Sequence, residues 1–308
     1  QAARHPGRGR AAESLARRGR ALGRMPTVLL ALATSLLFGV GDFLGGIATR
    51  RDSAYAVTGT SHLLSIVLLG IAVAVLPAAA PSGGDLLWGA ASGLSGVIGV
   101  MSLFAALALG RMSIVAPVVA ALSAALPALF DLASGTRLSP VTLGGIALAL
   151  VAIVIVSLAP DDRLHAPAHE YRPRLALALS LVAGVGFSGA FISYSFTSAE
   201  SGLTPVLAAR VVSIVVSVAL ALIVGRGFPA DRTAMPAALG AGLTDALANV
   251  TMLTAIRLGP LAIASVLGSL FPVVVVVLAR VFLGERLTGL QRAGVALAIV
   301  AVLLSAAP

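Results

Sequence analysis

Cysteine is absent from the 308 residues, and so is lysine, all 21 basic residues being arginine. Without cysteine there is no disulfide framework, no thiolate-bound zinc and no thiol nucleophile. The missing lysine reads as a base-composition bias of the gene, because nothing in membrane physics forbids lysine in a loop. Charge of either sign is scarce: 11% of residues are charged while 58% are hydrophobic, and mean hydropathy is +1.04. Such a composition excludes an ordinary soluble domain and points to a membrane protein. The formal net charge of +9 would speak for nucleic acid in a soluble chain, yet seven arginines fall within the first 24 residues. The rest are spread thinly between apolar runs, where basic residues set orientation and meet lipid head groups, so nucleic acid is not expected as a partner.

What is present is a succession of apolar runs near the 20 or so residues needed to cross a bilayer. Ten are found: 27–48, 55–76, 86–109, 112–133, 141–159, 175–197, 204–225, 237–256, 261–283 and 290–306. Most connections are short, so successive helices run antiparallel. The longer polar stretch at 160–174 divides the chain into a first unit, 27–159, and a second, 175–308.

The two units are related. A shift of 149 residues lays LGRMSI (109–114) on LGPLAI (258–263), GTRL (135–138) on GERL (284–287) and GIALALVA (145–152) on GVALAIVA (294–301). Slightly smaller shifts align GVG at 39–41 with GVG at 184–186, and SIV at 65–67 with SIV at 213–215. Five spans per copy is an odd number, so the second copy enters from the opposite side. The expected fold is an all-α integral membrane protein of ten transmembrane helices in two inverted five-helix repeats, an architecture by which secondary transporters expose one midplane site to each side in turn.

From Met25 onward the chain resembles the EamA-like permeases of the drug/metabolite transporter superfamily. The resemblance rests on SLLFGVGDFLGG in the first span, on the five-plus-five repeat, and on FLGERLTGLQRAGVALAIVAV from Phe282 to Val302. It implies a permease for small metabolites, amino-acid-like or drug-like, often moving them outward, in the plasma membrane; the alternatives are a multidrug exporter of organic cations and, further off, a membrane-embedded enzyme acting on lipid-linked substrates. Thr136 stands where the second repeat has Glu285, so any role of that glutamate belongs to one half only.

Residues 1–26 form an arginine-rich tail, expected to be a disordered arm or an upstream extension, with Met25-Pro26 directly before the first span. Its seven arginines favour a cytoplasmic N-terminus. Against that, odd-numbered loops hold ten arginines and even-numbered loops only Arg137 and Arg257. Both termini share one side in either case.

An ionisable group near the bilayer centre costs about 2.5–3.5 kcal/mol and needs a partner or a wet cavity. The positions that qualify are Asp42, His62, Arg210, Asp245 and Asn249. At a rise of about 1.5 Å per residue, Asp42, His62 and Asp245 lie roughly 9–12 Å below the face carrying the odd-numbered loops. Asn249 follows Asp245 by one turn, on the same helix face. Arg210 and Asn249 lie about 9–10 Å from the opposite face, within reach of Asp245.

These five are the candidate path for a small-molecule substrate or a coupling proton. Asp42 and His62 are a candidate titratable pair on matched depth alone. The plainer alternative is an Asp245–Arg210 clasp with structural hydrogen bonds around it. Asp131 and Arg280 are expected as interfacial anchors at opposite faces, and Pro117, Pro127 and Pro272 as kinks. With no phosphate-binding loop, an ion gradient is the expected energy source. His165, His169 and Glu170 gather only in the connecting stretch, so neither catalysis, metal nor cofactor is expected.

Overall fold

A computed structural model describes residues 6–49, 51–76, 78–109, 112–157, 172–224, 228–282 and 288–305. They form α1 (Pro6–Thr49), α2 (Ala54–Val75), α3 (Gly83–Leu109), α4 (Met112–Ala133), α5 (Pro140–Ser157), α6 (Pro173–Ser195), α7 (Thr204–Ile223), α8 (Met235–Leu258), α9 (Leu261–Gly268), α10 (Phe271–Phe282) and α11 (Gly289–Ser305). One 3-10 turn, Ala199–Ser201, lies between α6 and α7. No strand occurs among the described residues.

Apart from α1 and the ninth run, the helices coincide with the apolar runs to within about three residues, as hydropathy dictates when the solvent is lipid. Six helices are long and apolar enough to cross a membrane, and four shorter apolar ones accompany them. Two elements depart from expectation. Helix α1 carries the arginine-rich tail back to Pro6 as helix; arginine and alanine, good helix formers, outnumber the glycines there, and Pro26 removes a single bond. The ninth run, 261–283, is broken at Ser269–Leu270 into α9 and α10. Pro272 has no N–H for the Gly268 carbonyl and pushes its predecessor away from helical geometry, so the chain closes through a tight turn, Leu270 N donating to Leu267 O at 3.2 Å. Helix α4 passes through Pro117 and Pro127 unbroken.

The packing has an internal order. Helix α1 lies on α8 and α3 on α6; α2 touches α7 and α8, and α3 touches α7; α4 meets α6 and α9, α1 meets α9 and α10, and α5 meets α11. Exchanging α1 with α6, α2 with α7, α3 with α8, α4 with α9–α10, and α5 with α11 turns each of the first-half contacts into a second-half one. Two side-chain bonds obey the same exchange: Ser65 donates to Gly242 O at 3.1 Å and Ser213 to Gly93 O at 3.0 Å. At both glycines a Cβ would run into backbone, that of Ser61 at Gly242 and of Ala209 at Gly93. Small residues there let the helices meet backbone to backbone.

The core is built largely from alanine, with Tyr194, Met252, Leu253, Ile263 and Leu267 among the fully buried larger side chains. Large apolar side chains face outward instead, Val75, Ile223 and Leu303 among them. A continuous apolar exterior of this kind marks a lipid-facing surface.

Candidate functional site

Four of the five polar positions form one bonded chain across α2, α7 and α8. Arg210 Nη2 lies 3.0 Å from Asp245 Oδ2 and donates to Oδ1 at 3.3 Å. Its Nη1 is 3.0 Å from His62 Nε2. A guanidinium only donates, so this ring nitrogen accepts and the ring proton sits on Nδ1. Asn249 donates to Asp245 Oδ1 at 3.1 Å and to the Asp245 carbonyl at 2.9 Å, as its place one turn further on requires. Tyr194 of α6 donates to Asn249 Oδ1 at 3.4 Å, and Ser65 of α2 to Asp245 Oδ2 at 3.2 Å. Arg210 is 6% exposed and His62 3% exposed. Two buried groups, Arg210 Nε and His62 Nδ1, have no hydrogen-bond partner among the described residues.

His62 and Arg210 are equivalent in the two halves, and they touch where α2 crosses α7, helices that exchange with each other. The residues around them do not repeat. Asp245 and Asn249 on α8 correspond, at the shift of 149, to Gly96 and Val100 on α3. At these two positions the second half is polar and the first half is not.

The cluster opens on a central cavity of about 90 Å3, room for several waters or a small molecule. Asp42, His62, Arg210, Asp245 and Asn249 all line it, so the sequence-selected positions converge on one space. The expected pairing within the set is different: His62 is bonded to Arg210, and no described residue hydrogen-bonds to the Asp42 carboxylate. Depth along a helix does not fix the direction in which a side chain points.

Sequence reasoning passed over the apolar part of the lining. Phe38, Phe187, Phe191 and Phe271 border the cavity together with Tyr194. Phe271 arrives there because α10 begins at the break after Ser269, whose hydroxyl is 3.1 Å from that of Ser123.

Each end of the bundle is tied by polar contacts. At one, Asp85 accepts from Ser82 N at 2.9 Å while Ser82 Oγ accepts from Asp85 N at 3.1 Å, a reciprocal helix cap. The same carboxylate accepts from Ser198 N at 2.7 Å, joining α3 to the turn after α6. Arg257, counted above among the loop arginines, sits in the last turn of α8 and donates to Gly202 O, Thr197 Oγ1 and Ser201 Oγ at 2.7, 3.2 and 3.0 Å. At the other end Arg51 donates to Thr233 O at 2.7 Å and Asp52 accepts from Asp231 N at 2.7 Å, joining the α1–α2 turn to the approach to α8. Back at the first end, Asp131 accepts from Ala262 N at 2.8 Å and from Thr136 at 2.7 Å, tying α4 to α9. The side chain of Arg280, and the stretch holding His165, His169 and Glu170, lie outside the described residues.

Apolar helices, an apolar exterior and a polar cavity inside the bundle define a multi-pass integral membrane protein. Residues 174–307 match the model of the EamA-like transporter family, so the second half of the chain is an EamA-like domain, of a family within the drug/metabolite transporter superfamily. Members of that family are transporters and not enzymes. Among solved structures, a crystal structure described only as that of a protein superposes with a TM-score of 0.75 at 20% identity, over 92% of this chain and 98% of the other. At that identity the likeness concerns the fold. No curated protein sequence matches the chain.

Proposed function

We propose that the protein is a ten-span secondary permease of the plasma membrane, built as two inverted five-helix repeats with both termini on one side. It moves small amino-acid-like or drug-like metabolites, outward, by ion-coupled alternating access through the central cavity. The observation that carries this reading is the placement of the His62–Arg210–Asp245–Asn249 chain, which lines a cavity at the crossing of helices that exchange between the halves. A site where matching helices of two inverted repeats meet is presented alike to both faces when the repeats exchange conformations. Buried ionisable groups in a membrane interior mark a path by default, since a purely structural contact is obtained at lower cost from apolar packing.

Asp245 is the group that links substrate to protein. Its carboxylate is 23% exposed while the arginine side chain behind it is 8% exposed. A polar substrate or a proton that reaches Asp245 competes directly with Arg210, and releasing that ion pair is the local event that unlocks α7 from α8.

The experiment compares metabolites inside and outside cells expressing wild type or Asp245→Asn at equal membrane levels. A set of compounds redistributed by the wild type and not by the variant supports the reading. Identical profiles would remove Asp245 from the path.

A further inference from the structure

The cavity holds one acidic side chain without a partner. Its ionisable lining consists of Asp42, Asp245, Arg210 and His62. Arg210 is spent on Asp245, both carboxylate oxygens lying within 3.3 Å of Nη2, and its other amino nitrogen is spent on His62, which accepts and is therefore uncharged. Of its two further N–H groups, one is the second hydrogen of Nη1 and the other, on Nε, is buried without a hydrogen-bond partner among the described residues. What is left is Asp42, one helix away on α1, lining the cavity with no hydrogen-bonding or ion-paired neighbour among the described residues. A carboxylate in a membrane interior requires a counter-charge.

Around it stand the rings of Phe38, Phe187, Phe191 and Phe271 and the phenol of Tyr194. Ring faces attract a cation and repel an anion, and the attraction grows when water is excluded. The remaining lining is small or apolar apart from the amide of Asn249 and the hydroxyls of Ser92, Ser123 and Ser213, and it offers an apolar body room.

We infer that the cavity is a site for a monocationic amine with an apolar, preferably aromatic, body: the ammonium group is held by Asp42 and the body lies among the four phenylalanines. This rests on the permease reading and narrows it. A zwitterionic amino acid fits less well, because its carboxylate would need a free guanidinium, and the one present is already engaged. An anion would meet Asp42 and the rings with only neutral hydroxyl and amide donors to offset them.

The test uses full-length protein in nanodiscs and three radiolabelled probes of one shape, 2-phenylethylamine, L-phenylalanine and 3-phenylpropionate, in equilibrium dialysis against empty nanodiscs. The amine is expected to bind at least tenfold more tightly than either of the others. Asp42→Asn is expected to lose at least tenfold in amine affinity, Asp42→Glu to keep most of it, and both to unfold at the wild-type temperature. Equal or tighter binding of the zwitterion or the anion overturns the charge assignment and leaves the permease site standing. So does amine binding indifferent to Asp42→Asn, the outcome expected if that carboxylate carries only a proton. Binding of none of the three overturns the cavity as a small-molecule site, and with it the reading on which this inference depends. Should Asp42→Asn fail to insert, the order of the three probes on the wild type decides alone.

Discussion

Removing the carboxylate of Asp245 should be among the most costly single changes in this bundle. In Asp245→Ala, Arg210 keeps its charge and its burial but loses both oxygens within 3.3 Å, and only the bond to His62 remains. Deleting one member of a buried ion pair costs about 3–5 kcal/mol, chiefly because the survivor is left uncompensated. Asp245 is 23% exposed, so water partly relieves the arginine and the lower figure, about 3 kcal/mol, applies. That is on the order of a hundredfold in the folding equilibrium. The double variant Arg210→Met/Asp245→Leu removes both charges and should return to within about 1 kcal/mol of wild type, since apolar groups of like volume replace buried pairs at little cost. It should still not transport. Reversible unfolding in mixed micelles, titrated with denaturant, measures all three proteins. The reasoning is refuted if Asp245→Ala falls within about 1 kcal/mol of wild type, or if the double variant is no better than the single one.

The paired glycines make a second test: Gly93→Ala and Gly242→Ala each drive a Cβ into the backbone of the facing helix and should each cost about 1–3 kcal/mol, whereas Gly144→Ala, with open space around it, should not destabilise. Near-equal losses at 93 and 242 in the same unfolding assay would bear on the equivalence of the halves as well as on the contact. A third concerns Arg257, which holds the α6–α7 turn through three acceptors. Arg257→Ala should loosen that end of the bundle, and a cysteine placed at Ser92 in the cavity should then react faster with a thiol reagent added from that face. The natural absence of cysteine means that no background labelling obscures the result, and an unchanged rate would show that the turn does not govern access.

Much of this was legible in the sequence, for a reason that also explains the rest. In a chain whose exterior is lipid, a charged or amide side chain inside an apolar run is conspicuous, and His62, Arg210, Asp245 and Asn249 do meet in one bonded chain. Phenylalanine in such a run is not conspicuous: Phe38, Phe187, Phe191 and Phe271 read the same whether they face lipid or a cavity, and only tertiary packing separates the two. Rise per residue placed Asp42 and His62 at one depth but gave no azimuth, which is why His62 was matched with the wrong partner. The reciprocal cap of Ser82 and Asp85 is written in the sequence as an S-x-x-D signature, outside the apolar runs that carry the hydropathy signal. Pro272 announced an interruption, yet Pro117 and Pro127 carry the same letter in an unbroken α4, so proline alone does not say where a helix divides.

The backbone contacts at Gly93 and Gly242 have a mechanical meaning. Helices that interlock through large side chains behave like gears: to move past one another they must lift each tooth from its notch, and their positions are therefore discrete. Where a glycine lies flat against the backbone of Ala209 or Ser61 there are no teeth, and the two rods resemble a shaft in a plain bearing. The bundle has two such bearings between its halves, at matching places beside the His62–Arg210 contact. Displacement of α2 against α8, and of α7 against α3, meets little friction there. The ion pair beside them then serves as the detent that gives a smooth slide its resting position.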